Sequence, residues 1–169
     1  MGMPACGKST LGNKLAKKLN FNFFDLDDFI ETKEKKSVFA IFDELGENYF
    51  RNIETIYLKE IISENQQAVI SLGGGTACFN NNMDIINANG ISIYFEAPVK
   101  LLSDRIATAK QIRPMFKGLN KDEILQKLND LINNRKSFYE LATFKVNILE
   151  IDMELIINQI KTHYSSVEN

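Results

Sequence analysis

The strongest constraint on the fold lies at the start of the chain, where Gly2 to Ser9 spell G-x-x-x-x-G-K-S. Two glycines in that spacing let the backbone curl until successive N–H groups point inward. A helix beginning near Lys8 adds its positive end to the concavity. Lys8 supplies a charge for the β- and γ-phosphates of a nucleotide, and the Ser9 hydroxyl a ligand for Mg²⁺. Pro4, Ala5, Cys6, Gly7 and Thr10 complete the loop and its first turn. Loops of this kind join a buried strand to a helix, so an α/β architecture is the expectation from the outset. Here only Met1 precedes Gly2.

The 169 residues suit one domain with a proper core. A net charge of −2 offers no electrostatic footprint for nucleic acid or for a membrane surface. No apolar run approaches eighteen residues and no signal-peptide pattern appears, so a cytoplasmic protein without nucleic-acid or membrane partners is expected. Cys6 and Cys78 form neither a disulfide framework nor a zinc pattern. Cys6, in the loop before a helix, is either a reactive thiol or a small residue that fits there.

Apolar spacing predicts a helix over 8–19 and a short strand over 21–25, closed by Asp25-Leu26-Asp27-Asp28. Side chains at the carboxyl end of a parallel strand reach into the ligand crevice. Asp25 and Asp27 therefore point to one site if a helix follows at once, with Asp28 expected to cap that helix. Helices follow over 27–35 and from Ser37 to Leu45, with Gly46 a break before a longer amphipathic helix over 47–64. Arg51 lies beside its buried stripe, free to face a cleft.

A second strand over 67–72 runs into Gly73-Gly74-Gly75, where the absence of side chains suits close approach of a ligand to backbone N–H groups. Further helices are expected over 80–90, from Pro98 to about 107, over 120–139 and over 152–163, with strands over 91–95 and 145–149. Residues 108–119 break the periodicity and read as a lid carrying Arg113 over the phosphates. His163, the single histidine, sits by a polar tail and has no expected role in catalysis. Arginine is scarce, with four against sixteen lysines. Arg51, Arg105, Arg113 and Arg135 are therefore either places that need a planar bidentate donor or four solvated surface charges. A phosphate loop, a carboxylate cluster, a triple glycine and a lid arginine together describe phosphoryl transfer, with Asp27 orienting an acceptor hydroxyl, Asp25 on the metal side, and Arg51 and Arg135 directed at an anionic acceptor.

Nearly the whole chain resembles the shikimate kinase family. The resemblance rests on Gly2 to Thr10, Phe24-Asp25-Leu26-Asp27 with Ile30-Glu31, Gly46-Glu47, Phe50-Arg51-Asn52-Ile53-Glu54, Ser71-Leu72-Gly73-Gly74-Gly75, Arg113-Pro114, and Arg135 with Tyr139 and Ala142. It implies a single-domain, three-layer αβα P-loop kinase with a five-stranded parallel sheet, a shikimate-binding region near 27–54 and a lid over 108–119, the core being 1–107 and 120–169. It implies ATP-dependent phosphorylation of the shikimate 3-hydroxyl in aromatic amino-acid biosynthesis, by an enzyme expected to be monomeric. Asp27 would bind the shikimate hydroxyls and assist proton removal; Arg51 and Arg135 would clamp the carboxylate, and Gly73 to Gly75 would contact the ring hydroxyls. Asp25 would hold Mg²⁺ through water beside Ser9, Lys8 and Arg113 would act on the phosphates, and Arg105 would lie near adenine.

The chain departs from the family pattern at Met115-Phe116, where Leu-Leu is expected, and over 146–152, which lacks a proline that often lines the adenine site. The alternatives are a gluconate kinase, a nucleoside monophosphate kinase, or a nucleotide-binding module without turnover. Only four strands are found, so the strand leading into Gly2 is expected to be missing from a chain shortened by about five to eight residues, one mean strand length.

Overall fold

The computed structural model describes residues 1–109 and 114–167. Among them α1 (Lys8–Leu19), α2 (Leu26–Glu34), α3 (Val38–Glu64), α4 (Asn82–Asn89), α5 (Val99–Ala107), α6 (Lys121–Tyr139) and α7 (Met153–Val167) alternate with β1 (Asn22–Asp25), β2 (Ala68–Ser71), β3 (Ile93–Glu96) and β4 (Phe144–Asn147). Each strand falls within two residues of its predicted place. Two single turns of 3-10 helix, Thr76–Cys78 and Pro114–Phe116, join them. No helix among the described residues is long and apolar enough to cross a membrane.

Local chemistry accounts for the boundaries. Asn20 closes α1 in the left-handed conformation, and its N–H reaches back to the last carbonyls. Ser37 caps α3 by accepting from the Ala40 N–H at 3.1 Å. The two helices expected on either side of Gly46 run on as α3, broken where Gly46 takes the non-helical angles φ 81°, ψ 168°. The cap of α2 is Asp25, whose side chain accepts from the Asp27 N–H at 3.2 Å. Asp28, expected in that role, lies in the first turn, because β1 passes into helix without an intervening loop.

The strands pair in parallel, β1 with β2 and β3 with β4, so Asp25 stands opposite Ser71 and Ile93 opposite Phe144. The two pairs form separate sheets. Met1 extends the second pair: its amino group donates to the Ile93 carbonyl at 2.7 Å, and its carbonyl accepts from the Phe95 N–H at 3.0 Å. That exchange sets Met1 opposite Tyr94 as a strand parallel to β3 would be. Before it, between β2 and β3, lies a slot of about 200 Å³ lined by Leu15, Leu19, Leu58, Ile62, Ile86 and Ile160. The rest of the interior is close-packed, with Leu26, Ile30, Ile41, Leu102 and Leu128 at 0 % exposure.

Candidate active site

The phosphate loop bends as its sequence requires. Gly7, at φ 95°, occupies the residue before α1 in a conformation that side chains resist. At Gly2 a Cβ would lie 2.7 Å from the Phe95 carbonyl oxygen, so any larger residue would push the loop off β3. Lys8 folds back and donates from Nζ to the Met3 carbonyl at 3.1 Å, spanning the concavity into which a phosphate fits. From outside, Arg105 Nη1 donates to the Ala5 carbonyl at 3.1 Å. Cys6 is 1 % exposed and packs in the core. That burial favours the small residue that fits over the reactive thiol.

Ser9, in the first turn of α1, donates from Oγ to Asp25 Oδ2 at 2.5 Å and lies 3.3 Å from Ser71 Oγ. Strand register explains the cluster, since Asp25 and Ser71 are paired at the carboxyl ends of β1 and β2. Asp25 uses its other oxygen to cap α2, which fixes its rotamer. Among the described residues no three His, Cys, Asp or Glu side chains gather as a metal cage. The hard oxygens of Ser9 and Asp25 nevertheless fit Mg²⁺, which binds through one or two protein ligands and completes its shell with water and substrate phosphate.

Asp28, one turn along α2, has its carboxyl pushed up by partial burial and then by the neighbouring charges of Asp25 and Glu31. Negative charge is thus concentrated on this side of the loop, where a divalent cation would offset it.

The triple glycine brings together residues that are far apart in the chain. A Cβ on Gly73 would stand 3.0 Å from Asp27 Oδ1 and from Thr76 Oγ1; one on Gly74 would meet Arg135 Nη1 at 3.0 Å; one on Gly75 would meet Arg51 Nη2 at 2.7 Å. Asp27, Arg135 and Arg51 therefore surround one short stretch of bare backbone, and any side chain there would displace a charged group.

Arg51 is less free than its position on α3 suggests. Its Nε and Nη2 donate to Glu47 Oε1 at 3.1 and 3.0 Å, and Nη1 donates to Glu54 Oε2 at 2.9 Å. Its guanidinium lies 4.2 Å from the Phe79 ring centroid. Glu54, at 0 % exposure, also accepts from Thr76 Oγ1 at 2.6 Å. The buried carboxylate thereby links the arginine to the turn after the triple glycine. Glu47 lies on the open side, 54 % exposed.

Of the residues expected from the sequence, Gly2, Pro4, Ala5, Cys6, Gly7, Lys8, Ser9, Thr10 and Asp25 sit in or beside the phosphate loop. Asp27, Arg51, Gly73, Gly74, Gly75 and Arg135 gather at the second focus. Arg113 lies outside the described residues. Phe116 is 1 % exposed, so that half of the exchange at Met115-Phe116 keeps its apolar packing, whereas Met115 is 39 % exposed. His163 makes an edge contact with the Phe144 ring at 5.8 Å, away from both foci.

The model of the family described as shikimate kinase matches residues 4–164. The chain belongs to the shikimate kinase family. A shikimate kinase from Azobacteroides pseudotrichonymphae genomovar. CFP2 is 39% identical over 160 residues, covering 95% of this chain and 94% of that one. Among solved structures, a shikimate kinase from Bacteroides thetaiotaomicron superposes with a TM-score of 0.86 at 34% identity, covering 100% of this chain and 96% of that one. The shikimate kinase from Acinetobacter baumannii, solved in complex with shikimate, has a TM-score of 0.82 at 30% identity, over 96% and 91% of the two chains.

Within this shikimate kinase framework, four residues acquire structural parts that sequence reasoning does not give them. Glu47 and Glu54 hold Arg51, Thr76 holds Glu54, and Tyr139 holds the Gly74 carbonyl. Glu47 and Glu54 stand four residues before Arg51 and three after it, a helical spacing that is visible in the sequence. The last two pairings have no local signal.

Proposed function

We propose that this chain transfers the γ-phosphoryl group of ATP to the 3-hydroxyl of shikimate, giving shikimate 3-phosphate in aromatic amino-acid biosynthesis. The observation that carries the reading is the convergence of one carboxylate and two guanidinium groups on the bare backbone of Gly73 to Gly75, beside a phosphate loop. Two bidentate donors are unnecessary for a neutral sugar, but they match a carboxylate acceptor.

The loop N–H groups and Lys8 hold the nucleotide phosphates and offset the charge that spreads over the transferred group. Ser9 and Asp25 are the residues that hold Mg²⁺, which when bound shields the phosphate oxygens from the incoming nucleophile. Asp27 accepts a hydrogen bond from the acceptor hydroxyl and takes its proton as the oxygen attacks. Arg51 and Arg135 grip the acceptor carboxylate, with Glu47, on the open side, yielding part of its hold on Arg51. Arg113 closes over the phosphates with the 108–119 segment, and Arg105 borders the adenine side of the loop. The protein works as a cytoplasmic monomer; elution at the mass of one chain on size-exclusion chromatography is the expected result for the oligomeric state, and elution at twice that mass would overturn it.

Coupled ADP-release assays with shikimate, gluconate and nucleoside monophosphates test the reading. Release that depends on shikimate alone is expected. Release dependent on another acceptor, or ATP binding with no acceptor-dependent release, would overturn it.

A further inference from the structure

Tyr139 is the last residue of α6, four residues after Arg135, and is 1 % exposed. Its ring stacks on Tyr94 with centroids 5.0 Å apart and planes at 26°, and its hydroxyl lies 4.0 Å from Met3 Sδ at the start of the phosphate loop. That hydroxyl donates to the Gly74 carbonyl. Burial pushes the phenol far above its ordinary range, against a lowering by the charge of Arg135 and by a hydrogen bond with its side chain, so it remains a donor at every working pH.

The other two carbonyls of the triple glycine are also held. The Gly73 carbonyl accepts from the Thr76 N–H at 3.3 Å and the Gly75 carbonyl from the Cys78 N–H at 2.8 Å. In those two cases the donor is backbone a few residues on, and the turn itself provides the bond. Gly74 has no such neighbour and takes its donor from α6, sixty-five residues along the chain.

A trans peptide is planar, with its C=O and N–H antiparallel. Directing the Gly74 carbonyl at Tyr139 therefore directs the Gly75 N–H the opposite way. Gly75 is the residue whose missing side chain leaves room for the Arg51 fork, and Gly74 the one against Arg135. With no Cβ on either side of this peptide, its plane has little steric resistance to rotation, so one hydrogen bond decides its orientation.

We propose that Tyr139 is a positioning residue of the acceptor site: its hydroxyl holds the Gly74–Gly75 peptide so that the Gly75 N–H faces the acceptor between Arg51 and Arg135. It touches neither substrate. The same side chain ties this loop to α6, and so to Arg135, and rests against Met3, so that the acceptor donors keep one register relative to the phosphate loop. This inference rests on the acceptor reading given above.

Tyr139→Phe is the test, because it removes one oxygen and keeps the ring on Tyr94. Loss of one hydrogen bond of ordinary strength predicts a rise of about two- to tenfold in KM for shikimate. KM for ATP and kcat should stay within about twofold, and amide exchange at Gly75 should quicken while Tm falls by no more than the few degrees that one lost hydrogen bond costs. An unchanged KM for shikimate, or equal losses in both KM values and in Tm, overturns the proposal, since the hydroxyl would then be idle or merely structural. If the parent chain shows no shikimate-dependent turnover, the function fails independently. Exchange at Gly75 then decides for Tyr139: faster in the variant supports the positioning role, and unchanged overturns it.

Discussion

Asp27 and Arg51 divide the acceptor chemistry, and their environments predict different kinetic signatures. Asp27 approaches the triple glycine from the first turn of α2, oriented by Asp25, which caps that helix through the Asp27 N–H. Asp27→Asn keeps the shape and removes the base. On the proposed function it is expected to lower kcat by roughly 10²- to 10⁴-fold, the usual worth of a positioned base, with KM for ATP unchanged. Near-parent turnover with both substrates saturating would remove Asp27 from proton transfer. Arg51 is a binding group, and its whole fork is in use: two nitrogens on Glu47 and one on Glu54. Lysine cannot bridge these partners and an acceptor carboxylate together. Arg51→Lys should therefore raise KM for shikimate by about ten- to a hundredfold, the value of a charged hydrogen bond, with a smaller effect on kcat. Steady-state kinetics with shikimate varied at saturating ATP measures both, and equal KM values for Arg51→Lys and parent would discard the clamp.

At the scale of elements, α6 carries both Arg135 and Tyr139 and begins at Lys121. Its start is fixed by a reciprocal cap: the Asn120 side chain accepts from the Asp122 and Glu123 N–H groups at 3.0 Å each, and the Asn120 N–H donates to Glu123 Oε2 at 2.7 Å. Asn120→Ala removes the first half of this box. It should cost about 1 kcal/mol in urea unfolding with little change in the m value, and leave KM for shikimate near parent. A larger loss, or a change in KM, would mean that the cap does more than hold the first turn of α6. This element shows why some features are legible in the sequence and others are not. Helix extents, the break at Gly46 and the places of all four strands follow from local periodicity and punctuation. The phosphate loop is legible because its backbone path demands glycine at fixed positions. The partners of Tyr139 and Thr76 are set by how α3, α6 and the triple glycine meet in space. Local spacing carries no trace of that. Asp28 suits the cap of α2 only if a loop follows β1, whereas strand gives way to helix at Asp25.

For the whole molecule, the first residue and the slot beside it carry two energetic costs. The Met1 amino group, paired to Ile93 at the head of the slot, is buried, and its pKa falls from 8.0 to about 5, first through burial and then through the charge of Lys8, against a smaller raising effect of Cys6. Between these values the unfolded chain carries a proton that the folded chain lacks, so this group makes stability rise with pH across the window. A fall of that size corresponds to at most about 4 kcal/mol, withheld in full below the folded value and recovered by about pH 8. The slot adds a second cost, because the apolar side chains that line it lack packing partners on one side. One change addresses both. About four apolar β-branched residues placed ahead of Met1 would lie opposite Gly90 to Ile93 in the parallel register that Met1 already adopts. They would turn the charged amine into an amide. Continuous apolarity is needed because the slot has helix side chains on both faces, Leu15 and Ile160 on α1 and α7, Leu58 and Ile86 on α3 and α4. Urea unfolding of the unextended chain and of an extended chain with its own amino terminus acetylated, at about pH 5 and about pH 8, isolates the Met1 contribution, because every other titrating group is then common to both. The extended chain is expected to be several kcal/mol more stable, with the greater gain at the lower pH. An equal gain at both would mean that the amine is not buried in solution. No gain at either would mean that the slot closes on its own when the chain is free to relax.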